Sequence, residues 1–315
     1  MATTQMSVAA VRAREGARTA RGRRRGAGDG VWPYLFLFPV LGLLAVFFLA
    51  PLLTTLAYSF TKWGFFGDIT WTGATNYLRL FQDPNFGTAL LNTLIYSIVM
   101  LVSVPIAVVV AALLNRPGLR FAGFYRVLYF LPVVTMPVAV AIVWRMLYNG
   151  DFGLLNAFLS LFGIRGPYWL STPGVSLVAI AVVGIWSSLG FNIIVLSAGL
   201  KSIPAELYEA AALDGASPVR QFRSITAPLL TPTTFFITVL TLIGSFQVFD
   251  LIFVMLGTGP NAARSQTLVY YFYSEGFLQN DKGYASAIGV VIIVLIALLT
   301  ALQFRIQKKW VHYVS

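Results

Sequence analysis

Long charge-free apolar runs broken by short polar islands dominate this sequence. Six of them, Gly30 to Thr61, Pro84 to Asn115, Val127 to Trp144, Gly166 to Leu200, Ser224 to Phe249 and Gly283 to Phe304, each reach or exceed the roughly 18 residues that cross a bilayer as helix. The pattern predicts six membrane spans, of which the third is the shortest. Pro51, Pro105, Pro137, Gly184 and Gly190 fall inside or beside these runs, where bundled membrane helices tolerate them better than soluble ones do.

The polar island of most interest lies between the fourth and fifth runs, from Ser202 to Pro228. Pro204 suits the first turn of a helix, and Glu206 favours the positive end of its dipole. Leu207, Ala210, Ala211 and Asp214 recur at three- and four-residue spacing, and Gly215 is placed to end the helix with positive φ. Ser217-Pro218 reads as an N-cap and a first-turn proline for a second short helix carrying Arg220, Phe222 and Arg223 before Pro228. The expectation is a helix-turn-helix outside the bilayer.

Composition narrows the class. The 315 residues are 58% hydrophobic, with mean hydropathy +0.79, against about 45–50% apolar residues in a soluble domain. There is no cysteine and a single histidine, His312, so a zinc or redox role has little support. No Gly-x-x-x-x-Gly-Lys-Ser/Thr loop occurs, which leaves the chain without a recognisable phosphate loop of its own.

Most of the 22 basic residues lie on one side of the predicted spans. They fall in the arm Arg12 to Arg25, at Arg116, Arg120 and Arg126, at Lys201, Arg220 and Arg223, and at Arg305, Lys308 and Lys309. By the positive-inside rule this puts both termini and the Ser202–Pro228 island in the cytoplasm. The same rule accounts for the net charge of +11 without nucleic acid. Residues 1–30 are expected to be a disordered basic arm attracted to anionic lipid, and 31–315 one six-span domain opening on a retained start-in helix rather than a cleaved signal. The outer segment from Lys62 to Asp83, with Trp63, Trp71 and Tyr77, is expected at the membrane interface.

Glu209-Ala210-Ala211, then Gly215, Ile225 and Pro228 resemble the coupling loop of binding-protein-dependent ABC importer permeases, whose pattern is Glu-Ala-Ala, three residues, Gly, nine residues, Ile-x-Leu-Pro. Ala227 departs from it, standing where Leu is usual. The stretches Tyr34 to Pro39, Tyr58 to Trp63, Asn92-Thr93, Phe124 to Pro132, Gly244 to Leu251 and Gly257 to Pro260 are similar to carbohydrate-type permeases related to the maltose and glycerol-3-phosphate systems.

The resemblance covers Tyr34 to the C-terminus. It implies an all-α polytopic protein of six transmembrane helices with a cytoplasmic coupling helix-turn-helix, in a bacterial-type plasma membrane. The function implied is import of a sugar or sugar-like solute. The partners implied are a second permease subunit, a cytoplasmic ATPase dimer carrying ATP and Mg, and an extracytoplasmic solute-binding protein. No cofactor is implied on this chain.

Coupling would run through Glu209, Ala210, Ala211, Asp214 and Gly215, with small Ala210 and Ala211 allowing close approach and the two carboxylates accepting charge-assisted hydrogen bonds. A solute path needs polar groups beside aromatic rings. Trp186, Ser188, Phe191 and Asn192 on the fourth span are the candidates for it, Ser188 and Asn192 four apart with Phe191 adjacent on the same side, and Ser245, Phe246 and Gln247 supply a similar group on the fifth. The competing reading is an ion- or proton-coupled secondary transporter. That class needs ionisable groups inside the bilayer, and Arg145 and Asp250 both fall near span ends.

Overall fold

The computed structural model describes residues 32–63, 67–116, 118–172, 174–258, 260–308 and 311. The basic arm expected over residues 1–30 and the tail residue His312 lie outside them. The described residues up to 54 and those from 55 onward form two compact units.

Four described helices are long and apolar enough to cross a membrane: Tyr34–Tyr58, Pro84–Leu114, Val175–Lys201 and Lys282–Gln307. The third and fifth runs are not single helices. Gly123–Val134 and Pro137–Leu147 meet at 103°, and Pro218–Leu229 and Thr231–Phe246 at 65°; the spans number six when each bent pair counts as one. Proline causes both breaks. Pro137 disfavours the helical region for the preceding residue, and Met136 sits at φ −59°, ψ 132°. In the fifth run the carbonyl of Pro228 has lost its donor four residues on, because residue 232 is also proline. The Thr231 hydroxyl supplies it at 2.6 Å. Thr135 does the same for the Leu131 carbonyl at 2.8 Å in the first bend.

The fold is mostly helical with one addition to the expected all-α class. Thr61–Trp63 and Ile69–Trp71 form an antiparallel two-stranded ribbon, in the segment read from sequence only as interfacial. Thr61 in this ribbon lies so close to the last span that a Cβ on Gly283 would fall 2.0 Å from the Thr61 carbonyl oxygen. Asn76 fastens the same corner by donating to the Ser59 and Thr61 carbonyls at 2.9 and 2.8 Å.

Val175–Lys201 is the central element of residues 55–315. Leu189, Ile193 and Leu196 share a buried cluster with Val104, Ala107 and Ala111 of the second span. Glycine permits the closest approaches: a Cβ at Gly190 would lie 2.3 Å from the Tyr129 carbonyl oxygen, and one at Gly184 would lie 2.5 Å from the Tyr96 hydroxyl. Small residues let helix backbones approach where no hydrophobic force drives helices together in lipid.

Polar stitches join what the helices place side by side. Asn92 donates to the Arg264 and Gln266 carbonyls, both at 3.0 Å. Thr93 accepts the Leu268 amide at 2.9 Å, and Ser245 donates to Ser97 at 2.8 Å. At one end of these helices Asp83 caps Pro84–Leu101 through the Asn85 amide at 2.9 Å, and it also accepts from the Tyr271 and Tyr284 hydroxyls. Arg79 lies 3.8 Å over the Tyr284 ring and pairs with Asp281 at 2.6 Å and Glu275 at 3.5 Å.

Burial alone would raise the Asp83 carboxyl, but the two phenols, the Asn85 amide and Arg79 hold it below the ordinary carboxylate range. For Glu275 burial wins over Arg79, and its carboxyl is raised. A depressed folded-state pKa contributes stability above the unfolded value of about 3.9 and loses it as pH falls through the folded one. Replacing Asp83 by Ala is expected to leave two buried phenols without their acceptor, at about 1–3 kcal/mol each. A clear drop in melting temperature in detergent, with a flatter acid-side stability profile than the parent, is the expected result. An unchanged profile would remove Asp83 from this role.

Candidate functional site

Ser202–Pro228 folds as two helical pieces about one turn. Ala205–Leu213 opens with Pro204 at the N-cap, φ −58° and ψ 134°, one position before the expected first turn. Its other end is a Schellman motif: Ala216 N–H bonds the Ala211 carbonyl at 2.9 Å, Gly215 N–H bonds the Ala212 carbonyl at 3.0 Å, and Gly215 has φ +73°. Ser217 then caps the next helix by accepting the Arg220 amide at 3.4 Å. Gln221 donates to the Ala216 carbonyl at 3.1 Å, and Tyr208 and Thr226 share a hydrogen bond of 2.9 Å. These bonds tie both pieces into one body.

The second helix does not stop before Pro228. It widens into a π turn at Phe222–Thr226 and continues to Leu229. An α-helical turn would press the proline ring against the carbonyl four residues back, and the wider turn relieves that clash.

Glu209, Ala210, Asp214 and Gly215 are exposed, and Ala211 is half-buried. Neither Glu209 nor Asp214 forms an ion pair among the described residues. Leu213 between them is 91% exposed, and Val219 across the turn is 60% exposed. An apolar tip flanked by unpaired carboxylates is suited to contact with another protein surface.

The seven path candidates are not brought together in one cavity. Trp186 is half-buried, edge-on to Trp144 at 5.7 Å. Ser188 spends its hydroxyl on the Ile185 carbonyl of its own helix at 2.9 Å. Phe191 is exposed while Asn192 beside it is buried, so the two do not share the face expected of them. Ser245 and Phe246 are sealed inside, and Gln247 is exposed at the helix end. Asn192 carries the distinctive feature, a buried amide nitrogen with no hydrogen-bond partner.

Sequence reading passed over the stitch residues Ser97, Gln266, Tyr271 and Tyr284. The signal available was Asp83-Pro84, an N-cap followed by a first-turn proline, which marks a helix start anchored by a carboxylate. The partners that come from distant parts of the chain carry no local signal.

The sequence profile of the family described as "Binding-protein-dependent transport system inner membrane component" matches residues 103–312. The arabinooligosaccharides transport system permease protein AraP of Bacillus subtilis (strain 168) is 31% identical over 280 residues, covering 88% of this chain and 89% of its own. The sn-glycerol-3-phosphate permease protein UgpA of Yersinia enterocolitica is 34% identical, covering 89% and 95%. The lactose permease protein LacF of Rhizobium radiobacter is 35% identical, covering 88% and 94%. Among solved structures, a bacterial ABC transporter that imports alginate superposes with TM-score 0.80 at 24% identity, over 89% of this chain and 96% of that one, which establishes a common fold.

A Cβ at Gly215 would meet nothing within 4 Å, so within this chain its substitution costs only the positive φ. Asn tolerates that region and a β-branched residue does not. Gly215→Asn is expected to keep the Ala216 amide protected from hydrogen exchange, and Gly215→Val to lose about 1–2 kcal/mol of that protection. Equal protection in both variants would show that the turn is not set by this dihedral.

Proposed function

Because the chain belongs to the binding-protein-dependent transport system inner membrane component family, we propose that it is a permease subunit of an ATP-driven importer for a sugar or sugar-like solute. The carrying observation is the Ser202–Pro228 element: rigid by its internal bonds, exposed at Glu209, Leu213 and Asp214, and set on a chain with no phosphate loop. ATP and Mg are assigned to a separate ATPase pair docking on this element. A second permease subunit completes the pathway, and the family's description supplies the external solute-binding protein. Both termini are assigned to the cytoplasm, in a bacterial-type plasma membrane.

The solute class follows from relatives named for arabinooligosaccharides, lactose and sn-glycerol-3-phosphate. All are polyhydroxylated, and their hydroxyls need donors and acceptors along the path. The unpartnered Asn192 amide is such a donor. Trp186, Ser188, Phe191, Ser245, Phe246 and Gln247 lie on the same two spans and would meet along one path only in a different arrangement of them. Since Ser245 and Phe246 are buried in the present arrangement, they would reach solute only after the spans shift against each other.

Reconstituted with its partners, the complex is expected to take up labelled arabinooligosaccharide, lactose or sn-glycerol-3-phosphate only with ATP, and unaffected by an uncoupler. Glu209→Ala should weaken coupling by about 1–3 kcal/mol, the worth of one lost polar contact. Uptake that needs an ion gradient and ignores ATP would favour the secondary-transporter reading instead. Single cysteines at Ser217 and Thr258, in a chain without native cysteine, should react with an impermeant reagent from opposite sides, Thr258 from outside. Same-side labelling contradicts the orientation.

For the path, Asn192→Ala and Phe191→Ala are expected to change the relative rates of the three solutes while basal ATP hydrolysis and assembly hold. Identical solute ratios in both variants would place the path elsewhere.

A further inference from the structure

Two clefts meet at Tyr148, beside the start of the Val175–Lys201 span. One, of about 380 Å³, is polar and lined by Arg145, Asn149, Asp151, Tyr168 and Ser171. The other, of about 620 Å³, is apolar and lined by Trp144, Trp169, Val175, Val178 and Val182. Tyr148 belongs to both linings.

The polar half is built by a tight loop. Asn149 accepts the Asp151 and Phe152 amides at 2.9 and 3.1 Å. A Cβ at Gly150 would fall 2.1 Å from the Tyr168 ring, so that ring lies directly on bare backbone, and its hydroxyl donates to Asp151 at 2.9 Å. Arg145 reaches the Val254 carbonyl with one nitrogen at 3.3 Å. Arg145 and Asp151 are both exposed, line the same cleft, and form no ion pair among the described residues.

The apolar half runs down the span. Val178 and Val182 lie three and seven residues past Val175, about 4.5 and 10 Å along the helix, and are 44% and 46% exposed. Tyr148 stacks on Trp169 at 5.6 Å and tilts against Trp144 at 5.2 Å, an aromatic group of the kind that sits at headgroup level.

We propose that this double cleft binds one zwitterionic, amine-bearing phospholipid. Its phosphate sits at Arg145, its ammonium at Asp151, and an acyl chain lies along Val178 and Val182. Charge decides the occupant: an anionic headgroup would satisfy Arg145 and set its net charge against Asp151, whereas a phosphate and an ammonium on one molecule satisfy both. A water-soluble solute has no use for the apolar half. A second protein subunit seated there would desolvate a cation and an anion that are not paired with each other, which is costly. Val178 and Val182 leave the groove open at the surface of the chain, so an acyl chain can enter it from the side.

The test is lipid retention, which needs only a membrane-spanning chain and does not read transport. The purified complex in detergent is equilibrated with equal amounts of palmitoyl-oleoyl phosphatidylethanolamine and palmitoyl-oleoyl phosphatidylglycerol, and the retained lipid is counted by native mass spectrometry. The parent should retain phosphatidylethanolamine about fivefold over phosphatidylglycerol, the upper end for an exposed ion pair. Asp151→Asn should bring that ratio to about one without losing total lipid, and Arg145→Gln should lower retention of both. Val178→Trp, which fills the acyl groove and leaves the charges alone, should also lower both. Equal retention of the two lipids, unchanged by the variants, would mean unspecific annular lipid and overturn the proposal. So would a cysteine at Ser171 that reacts in the isolated chain and is protected in the assembled complex, since a protein partner would then cover the cleft.

Discussion

In lipid a backbone N–H or C=O without a partner costs several kcal/mol, and no water is available to supply one. The prolines of this chain therefore decide where its helices stay straight, widen or break. Two of its π turns, Ala45–Leu49 and Phe222–Thr226, each end two residues before a proline, Pro51 and Pro228. In each the following amide bonds five residues back, Ala50 to Ala45 and Ala227 to Phe222. The widened turn draws the carbonyls away from the proline ring while the helix runs on. Where a proline instead ends the helix, at 135–136 and at 230, a threonine hydroxyl takes the carbonyl left behind.

The same requirement explains the polar side chains inside the apolar bundle. Asn92, Thr93, Ser97 and Ser245 are each bonded to backbone or to one another across elements, so they fix register without exposing a dipole to hydrocarbon. Asn192 departs from that pattern, as do Ser103 and Ser187, and it alone of the three is among the path candidates. Its buried amide nitrogen has no partner, and an orphaned donor is a cost that packing alone would remove. That contrast is the physical reason for giving it more weight than Ser188 or Ser245, whose hydroxyls are already satisfied.

Apolar runs bounded by polar islands made a mostly helical membrane-spanning chain legible, and Pro204, Gly215 and Ser217-Pro218 made the two short helices about a turn legible, because each acts within a few residues. Non-local packing was not legible. Phe191 and Asn192 are neighbours in sequence and looked like one face, but the helix turns by about 100° per residue, and Asn192 is buried while Phe191 is exposed. The 103° bend was hidden for a different reason: Pro137 could be read as a tolerated kink or as a break, and the pattern of apolar residues is the same for both, while the extended Met136 backbone makes it a break. The Asp83 network joins residues about 190 and 200 positions away, a distance over which periodicity carries no information.

These arrangements constrain how the exposed loop could act on the bundle. Tyr208 and Thr226 bond the two helical pieces together, so a push on Leu213 moves both rather than folding one against the other. The connection to the spans runs through Leu230, which is fully buried at the 65° bend, and through Gly199, where an added Cβ would fall 2.4 Å from the Thr233 hydroxyl and 3.0 Å from Leu230. If the loop is the docking element proposed for it, force enters the fourth and fifth spans together at this tight junction. Those are the spans that hold Asn192 and Ser245. Under that proposal a displacement there would reach both residues, while the polar network about Asp83 ties the second span to the sixth. Under the same proposal, a bundle held by the Asp83 network and loaded at the Leu230 junction would yield by tilting the helices between them, since melting one would leave backbone groups without partners.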